Sequence, residues 1–252
     1  MVSAVTSNRA ASNHRMAASP EYRWHEFDSR IAFEQAASRF ILENAEVAIV
    51  ARGAFRIVLA GGNTPRNIYQ ALCSATADWS AWHIYFGDER CLPADDRERN
   101  SAMARSAWLD HVAIPARQIH PIPAELGAEA AAAVYARKVA AVDEFDLVLL
   151  GLGEDGHTAS LFPGKDWGEA EDALPVLAVH NAPKLPSNRV TLSARRLSKA
   201  RKTIFLVTGE SKMDALKRLR AGERIAASAI RPESGIDVYT DLRLHGDTVF
   251  HS

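Results

Sequence analysis

Residues Leu149 to Gly164 read LLGLGEDGHTASLFPG, and the way these glycines are taken decides both fold and chemistry. Gly151, Gly153 and Gly156 stand at the spacing of the G-x-G-x-x-G dinucleotide fingerprint, directly after the apolar run LVLL at 147–150. Two features oppose that reading. Glu154 and Asp155 would repel a pyrophosphate, and Pro163-Gly164 arrives after only HTASLF, too soon for the long helix the fingerprint needs. Glu169 and Glu171 imitate the ribose-binding acid but sit in a loop. The glycines are therefore read as bending a strand end, which leaves Asp155-Gly156-His157. A histidine titrates near neutrality and can take a proton from water, and a carboxylate two residues away can fix its tautomer if the turn brings the two together. The competing reading of an isolated histidine is structural. No second His or Cys stands beside it at a ligand spacing, so no metal is expected.

Three further runs share the character of LVLL: RIVLA at 56–60, HIYF at 83–86 and TIFLV at 203–207. Continuous apolar runs of this length suit strands buried on both faces of a parallel sheet. Between them lie helical patterns at 29–51, 65–74, 101–111, 128–142 and 211–221, and weaker strands at 189–193 and 236–239. The alternation predicts a doubly wound, Rossmann-like α/β fold of three layers: a mostly parallel sheet with helices on both faces. Residues 165–188, rich in Pro, Gly and acids, read as a long surface loop. Residues 1–22 read as a flexible leader and 23–252 as one catalytic domain.

The 252 residues are 47% hydrophobic and 24% charged, with a formal net charge of −1. That balance supplies no global field to gather nucleic acid or anionic lipid, so an anionic ligand must be captured locally. The two cysteines, Cys73 and Cys91, are too few for a disulfide framework; as reduced thiols they suggest a cytoplasmic protein. No run approaches the roughly 18 to 20 apolar residues of a membrane span.

Each strong strand is followed at once by a polar cluster, and in an open parallel sheet ligands bind outside the carboxyl ends of the strands. After the first come Gly61, Gly62, Asn63 and Thr64, either a phosphate cradle at a helix start or simply a tight turn, with Thr64 suited to capping and Pro65 to the first helical position. After the second come Asp88, Glu89 and Arg90, which suit sugar hydroxyls and an oxyanion, or else an internal ion pair. After the fourth, Lys212 sits at a helix start, where the dipole disfavours a cation unless an anion is near, the competing reading being a solvated lysine. Arg189 is a second candidate cationic arm, the competing reading being a surface arginine. The DDRERNS run at 95–101 reads as a solvated loop.

Taken together, LAGGNTPRNIYQAL, IYFGDERCLPADDRERNSAMA, FDLVLLGLGEDGHTASLFPG and VTGESKMDAL, in that order, resemble the 6-phosphogluconolactonase family. The resemblance runs from about residue 27 to 239. It implies hydrolysis of 6-phospho-D-glucono-1,5-lactone to 6-phosphogluconate in the pentose phosphate pathway, without metal or organic cofactor, by a monomer or weak oligomer. It further implies His157 as general base oriented by Asp155, Arg90 on the oxyanion or the product carboxylate, and Asp88 on hydroxyls. The phosphate would sit on the Gly61–Thr64 turn with Arg189 and Lys212 as cationic partners. The related glucosamine-6-phosphate deaminases continue after Asp-Gly-His with Asn-Glu-Pro, whose glutamate assists ring opening; here the letters are Leu161, Phe162 and Pro163. That difference favours the lactonase over the deaminase and over a non-catalytic sugar-phosphate-binding module.

Overall fold

Residues 20–244 are described by the structure, a computed structural model. The expected leader, 1–22, falls outside them except for residues 20–22. In chain order the elements are β1 (Tyr22–Glu26), α1 (Arg30–Arg52), β2 (Phe55–Leu59), α2 (Asn63–Leu72), β3 (Trp82–Phe86), β4 (Asp88–Arg90), α3 (Asn100–Ala107), β5 (Ile119–His120), α4 (Ala128–Ala140), β6 (Leu147–Leu150), β7 (Val176–Val179), β8 (Arg189–Leu192), α5 (Ala194–Ser198), β9 (Thr203–Val207), α6 (Met213–Arg220) and β10 (Ile236–Thr240).

Seven strands pair in parallel in the order β1-β10-β9-β6-β2-β3-β5, the doubly wound α/β sheet that the alternating pattern predicts. Every residue of β6 and β9 is buried, as strands covered on both faces must be. α1 meets the core with Phe33, Ala37, Ile41, Ala45 and Ala48, one stripe of a helix, and ends at Gly53 with φ 71°, the left-handed conformation that glycine adopts without strain. From β2 the chain moves outward to β3 and β5, then returns to β6 and runs the other way. The order reverses between β2 and β6, and outside their carboxyl ends a crevice must open.

Five strands depart from the sequence reading, two of them the short β4 and β5, which it did not expect. YRWHE forms β1 on the edge of the sheet, paired with β10 and fixed by Arg23 and His25, which both meet the Asp237 carboxylate. Within the expected 165–188 loop lies β7. The weak strand expected near 189–193 forms β8, yet it joins a separate three-stranded antiparallel sheet, β4-β8-β7.

The two sheets join at Gly87. Its N–H donates to Leu59 O at 3.0 Å in the large sheet, while its carbonyl accepts from Leu192 N–H at 2.8 Å in the small one. Two buried tyrosines hold the strand ends beside this joint. Tyr69 Oη accepts from Ala60 N–H (3.1 Å) and donates to Ala60 O (2.9 Å) just beyond β2; Tyr135 Oη does the same for Phe86 at the end of β3 (2.9 and 3.2 Å). A strand leaving its sheet loses its ladder partners, and a phenol with one donor and two lone pairs replaces both. Tyr135→Phe keeps the ring but strands a buried N–H, so urea unfolding should show a loss of about 1–3 kcal/mol; an unchanged midpoint would mean that Phe86 finds another partner.

Candidate active site

A cleft of about 490 Å³ opens at the switch point. All four polar clusters reach it: Gly61, Gly62, Asn63 and Thr64 after β2, Gly87, Asp88 and Arg90 after β3, Gly151 to Gly153 and His157 after β6, and Thr208 and Lys212 after β9. Arg189 also lines it, from β8. Glu89 is buried behind the wall and Asp155, partly exposed, stands beside it, each bonded to a residue that lines the cleft.

His157 belongs to a turn folded on itself. Gly153 N–H donates to His157 O at 2.7 Å, Gly156 N–H to Gly153 O at 2.9 Å, and Thr158 Oγ1 to Gly151 O at 2.8 Å. Two glycines are required here: a Cβ on Gly153 would overlap the imidazole, and Gly156 has φ 86° with Ile225 against it. Folded this way, the turn brings His157 Nδ1 into hydrogen-bond contact with Asp155 Oδ1, which also accepts the His157 N–H at 3.2 Å. Burial opposes ionisation of Asp155, but the hydrogen bond and charge of His157, with Lys184 nearby, hold its carboxyl below the usual range. Burial pushes His157 below its ordinary value; Asp155 and Asp88 pull upward, and Lys184 pushes further down. An ionised Asp155 places the ring proton on Nδ1 and leaves Nε2 with a lone pair. Phe162 closes the apolar side of the ring, with centroids 4.7 Å apart.

Asp88 faces the cleft, with both carboxylate oxygens held. Oδ1 accepts from Asn100 Nδ2 at 3.0 Å and Oδ2 from Ser160 Oγ at 2.6 Å. Glu89, expected on substrate, has no exposed surface; it accepts from Asn100 N–H (2.6 Å) and Ser101 N–H (2.8 Å) at the start of α3 and lies 3.5 Å from Arg99. The supposedly solvated DDRERNS run therefore ends in three buried residues, Arg99, Asn100 and Ser101. Arg90 lines the cleft, donates through Nη1 to Glu98 O, and keeps its Nε buried without a hydrogen-bond partner among the described residues.

The other end of the cleft is the start of α2. Gly62, at φ 102°, takes the cap position expected for Thr64, and the first intrahelical bond is Arg66 N–H to Gly62 O at 3.1 Å. The Asn63 and Thr64 N–H groups precede that bond, the geometry of a helix terminus that can accept an anion. Thr64 Oγ1 instead meets Thr208 Oγ1 at 2.5 Å. Lys212 stands beside it, 3.7 Å from Glu154. Arg30, which nothing in the sequence marked, joins this end through Asp241, whose carboxylate takes Arg30 Nε (2.9 Å) and Gly209 N–H (3.1 Å). Asn100, Lys184 and Thr208 are likewise cleft residues that sequence reasoning passed over. Thr208 had a findable signal, since it opens the cluster after TIFLV. Among the described residues no group of three or more His, Cys, Asp or Glu side chains could hold a metal, and no helix is long and apolar enough to cross a membrane.

A doubly wound sheet whose switch point holds a carboxylate-tied imidazole, with cations on both sides, defines an α/β protein with a polar, cation-bearing cleft at the carboxyl ends of its strands. Residues 28–239 match the family described as glucosamine-6-phosphate isomerases/6-phosphogluconolactonase, and the chain belongs to that family. It is similar to the 6-phosphogluconolactonase of Synechocystis, 42% identical over 185 residues, 70% of this chain and 75% of that protein. The 6-phosphogluconolactonase of Mycobacterium leprae is 37% identical over 214 residues, 79% and 85% of the two chains. Among solved structures, the 6-phosphogluconolactonase of Thermotoga maritima superposes with a TM-score of 0.81 at 25% identity, over 87% of this chain and 99% of that one. That of Trypanosoma brucei gives 0.79 at 28% identity, over 88% and 97%.

Gly153→Ala is expected to drive the imidazole off Asp155, visible as shifted His157 ring resonances in NMR with an unchanged far-ultraviolet circular dichroism spectrum. Unshifted resonances would show that the ring is not confined by the turn.

Proposed function

We propose that the chain hydrolyses 6-phospho-D-glucono-1,5-lactone to 6-phosphogluconate, the lactone-opening step of the pentose phosphate pathway. The observation that carries this reading is His157 in the cleft with Nδ1 tied to Asp155. Nε2 takes a proton from water as the water oxygen attacks C1 of the lactone. The carbonyl oxygen becomes an alkoxide, for which Arg90 is the cation on the β4 side. The carbonyl then re-forms, the bond from C1 to the ring oxygen breaks, and that oxygen takes the proton from His157. Water has been added and the imidazole restored; the new carboxylic acid loses its proton to solvent. Asp88, immobilised by Asn100 and Ser160, accepts hydrogen bonds from sugar hydroxyls. The phosphate sits against the Gly61–Thr64 turn with Lys212 beside it.

The family description also covers isomerases, and Phe162 speaks against that branch here. It is wholly buried and packs on His157, so the position that carries a proton-shuttling glutamate in the deaminases is an apolar floor.

His157→Ala should lower catalysed opening of freshly generated lactone, above the spontaneous background, by about a hundredfold or more; a fall of less than about tenfold would remove His157 as the base. Asp155→Asn tests the orienting partner through pH. The base works only when neutral, so kcat/KM falls on the acid side of the His157 pKa. Asp155 raises that pKa, and its loss should move the acid limb to lower pH while reducing kcat. An acid limb that stays in place would detach Asp155 from the titration.

A further inference from the structure

The connection between β7 and β8 carries a cation that has no role in the reaction as described so far. Lys184 lines the cleft, and its charge reaches Glu154, Asp155 and His157 on the β6 turn. Its backbone is tied down by an unusual arrangement. Arg189 Nε donates to Pro186 O at 3.0 Å, and Nη2 donates to Lys184 O at 3.1 Å and Leu185 O at 3.2 Å. Three successive carbonyls thus converge on one guanidinium. Arg189 itself is 6% exposed and lies over the Phe162 ring, 5.5 Å from its centroid. The same ring supports His157. Ala182 and Val179 join Phe162 in an apolar cluster, and Ala182 N–H donates to Ser187 O at 2.9 Å, closing the hairpin. Hairpin, guanidinium and imidazole therefore share one rigid floor.

We propose that Lys184 is a substrate-contacting cation at the lactone end of the cleft, and that Arg189 is the positioning residue that holds it there. This rests on the lactonase reading above. An arginine whose Nε and Nη2 are already spent on carbonyls has little left to offer a ligand, whereas an ammonium on a fixed backbone has three donors free to turn. When water attacks C1, charge grows on the carbonyl oxygen, and hydrolysis leaves a carboxylate with two oxygens. Arg90 approaches that end from β4 and Lys184 from the His157 side, so two elements supply one cation each.

The charged groups around His157 are Asp155 and Asp88, which favour the imidazolium, and Lys184, which disfavours it; Phe162 is neutral. Replacing Lys184 by Met keeps the stem and removes the charge. Expected for Lys184→Met is a fall in kcat/KM of about tenfold or more and an acid limb displaced to higher pH, because the imidazolium loses a like-charged neighbour. Lys184→Arg should recover most of the activity. Arg189→Lys should lower kcat/KM as Lys184→Met does, while adding Lys184→Met to it should cost little more. NMR titration of His157 without substrate gives a readout independent of turnover and should show the same upward displacement in Lys184→Met. A wild-type chain that opens the lactone no faster than buffer overturns the lactonase reading and this proposal with it. An active wild type matched by Lys184→Met in rate and acid limb overturns this proposal alone. Additive losses in the double variant would return Arg189 to an independent role.

Discussion

The Glu89 carboxylate, wholly out of water, is the interaction on which the site depends. A buried charge is costly unless it is paired and hydrogen-bonded, and Glu89 is both: it takes the first N–H groups of α3 and faces Arg99, which in turn is held by Glu125 and Ile122 O. Fixing the start of α3 fixes Asn100, and Asn100 does two things at once. It donates to Asp88, and its side chain fills the space that a Cβ on Gly61 would need. One carboxylate outside the cleft thus sets the distance between the turn after β2 and the strand end after β3. Removing its carboxylate would leave the Asn100 and Ser101 N–H groups buried without their acceptor and Arg99 with Glu125 as its remaining carboxylate partner, so a residue outside the cleft acts on its geometry.

Much of this was legible in the letters. The four apolar runs name the central strands, because a strand buried on both faces cannot hide its composition. The polar clusters behind them name the cleft, because parallel strands all end on the same side. What escaped has physical causes as well. β1 is an edge strand whose YRWHE alternates with polar residues, so its pairing depends on Arg23 and His25 finding Asp237 from more than two hundred residues away in sequence. β4 and β7 are short strands whose partners belong to a second sheet, which no local pattern announces. The burial of Arg99 and Asn100 could not be read from DDRERNS, since charged letters look alike whether they face solvent or a hidden carboxylate.

Phe162 shows how a single apolar residue can separate two chemistries on one scaffold. In the proposed mechanism a carboxylate there would be a second proton carrier beside His157. The ring instead removes water from one side of the imidazole, which favours its neutral form, and gives the Arg189 guanidinium a surface to rest on. The imidazole's titration and the hairpin's placement thus both lean on one side chain, and neither contact involves a hydrogen bond.

Gly87 has a consequence for the shape of the cleft. Its N–H belongs to the large sheet and its carbonyl to the small one, so the two halves of the cleft are set apart by the length of a single residue. In the proposed binding mode the phosphate rests on turns of the large sheet, while the reacting carbon lies between His157, on the turn after β6 of the large sheet, and Arg90, on β4 of the small one. The joint then acts as a ruler for the span between them. A shift of that one residue would move the Arg90 side of the cleft relative to the turns after β2, β6 and β9 without changing any side chain that lines it.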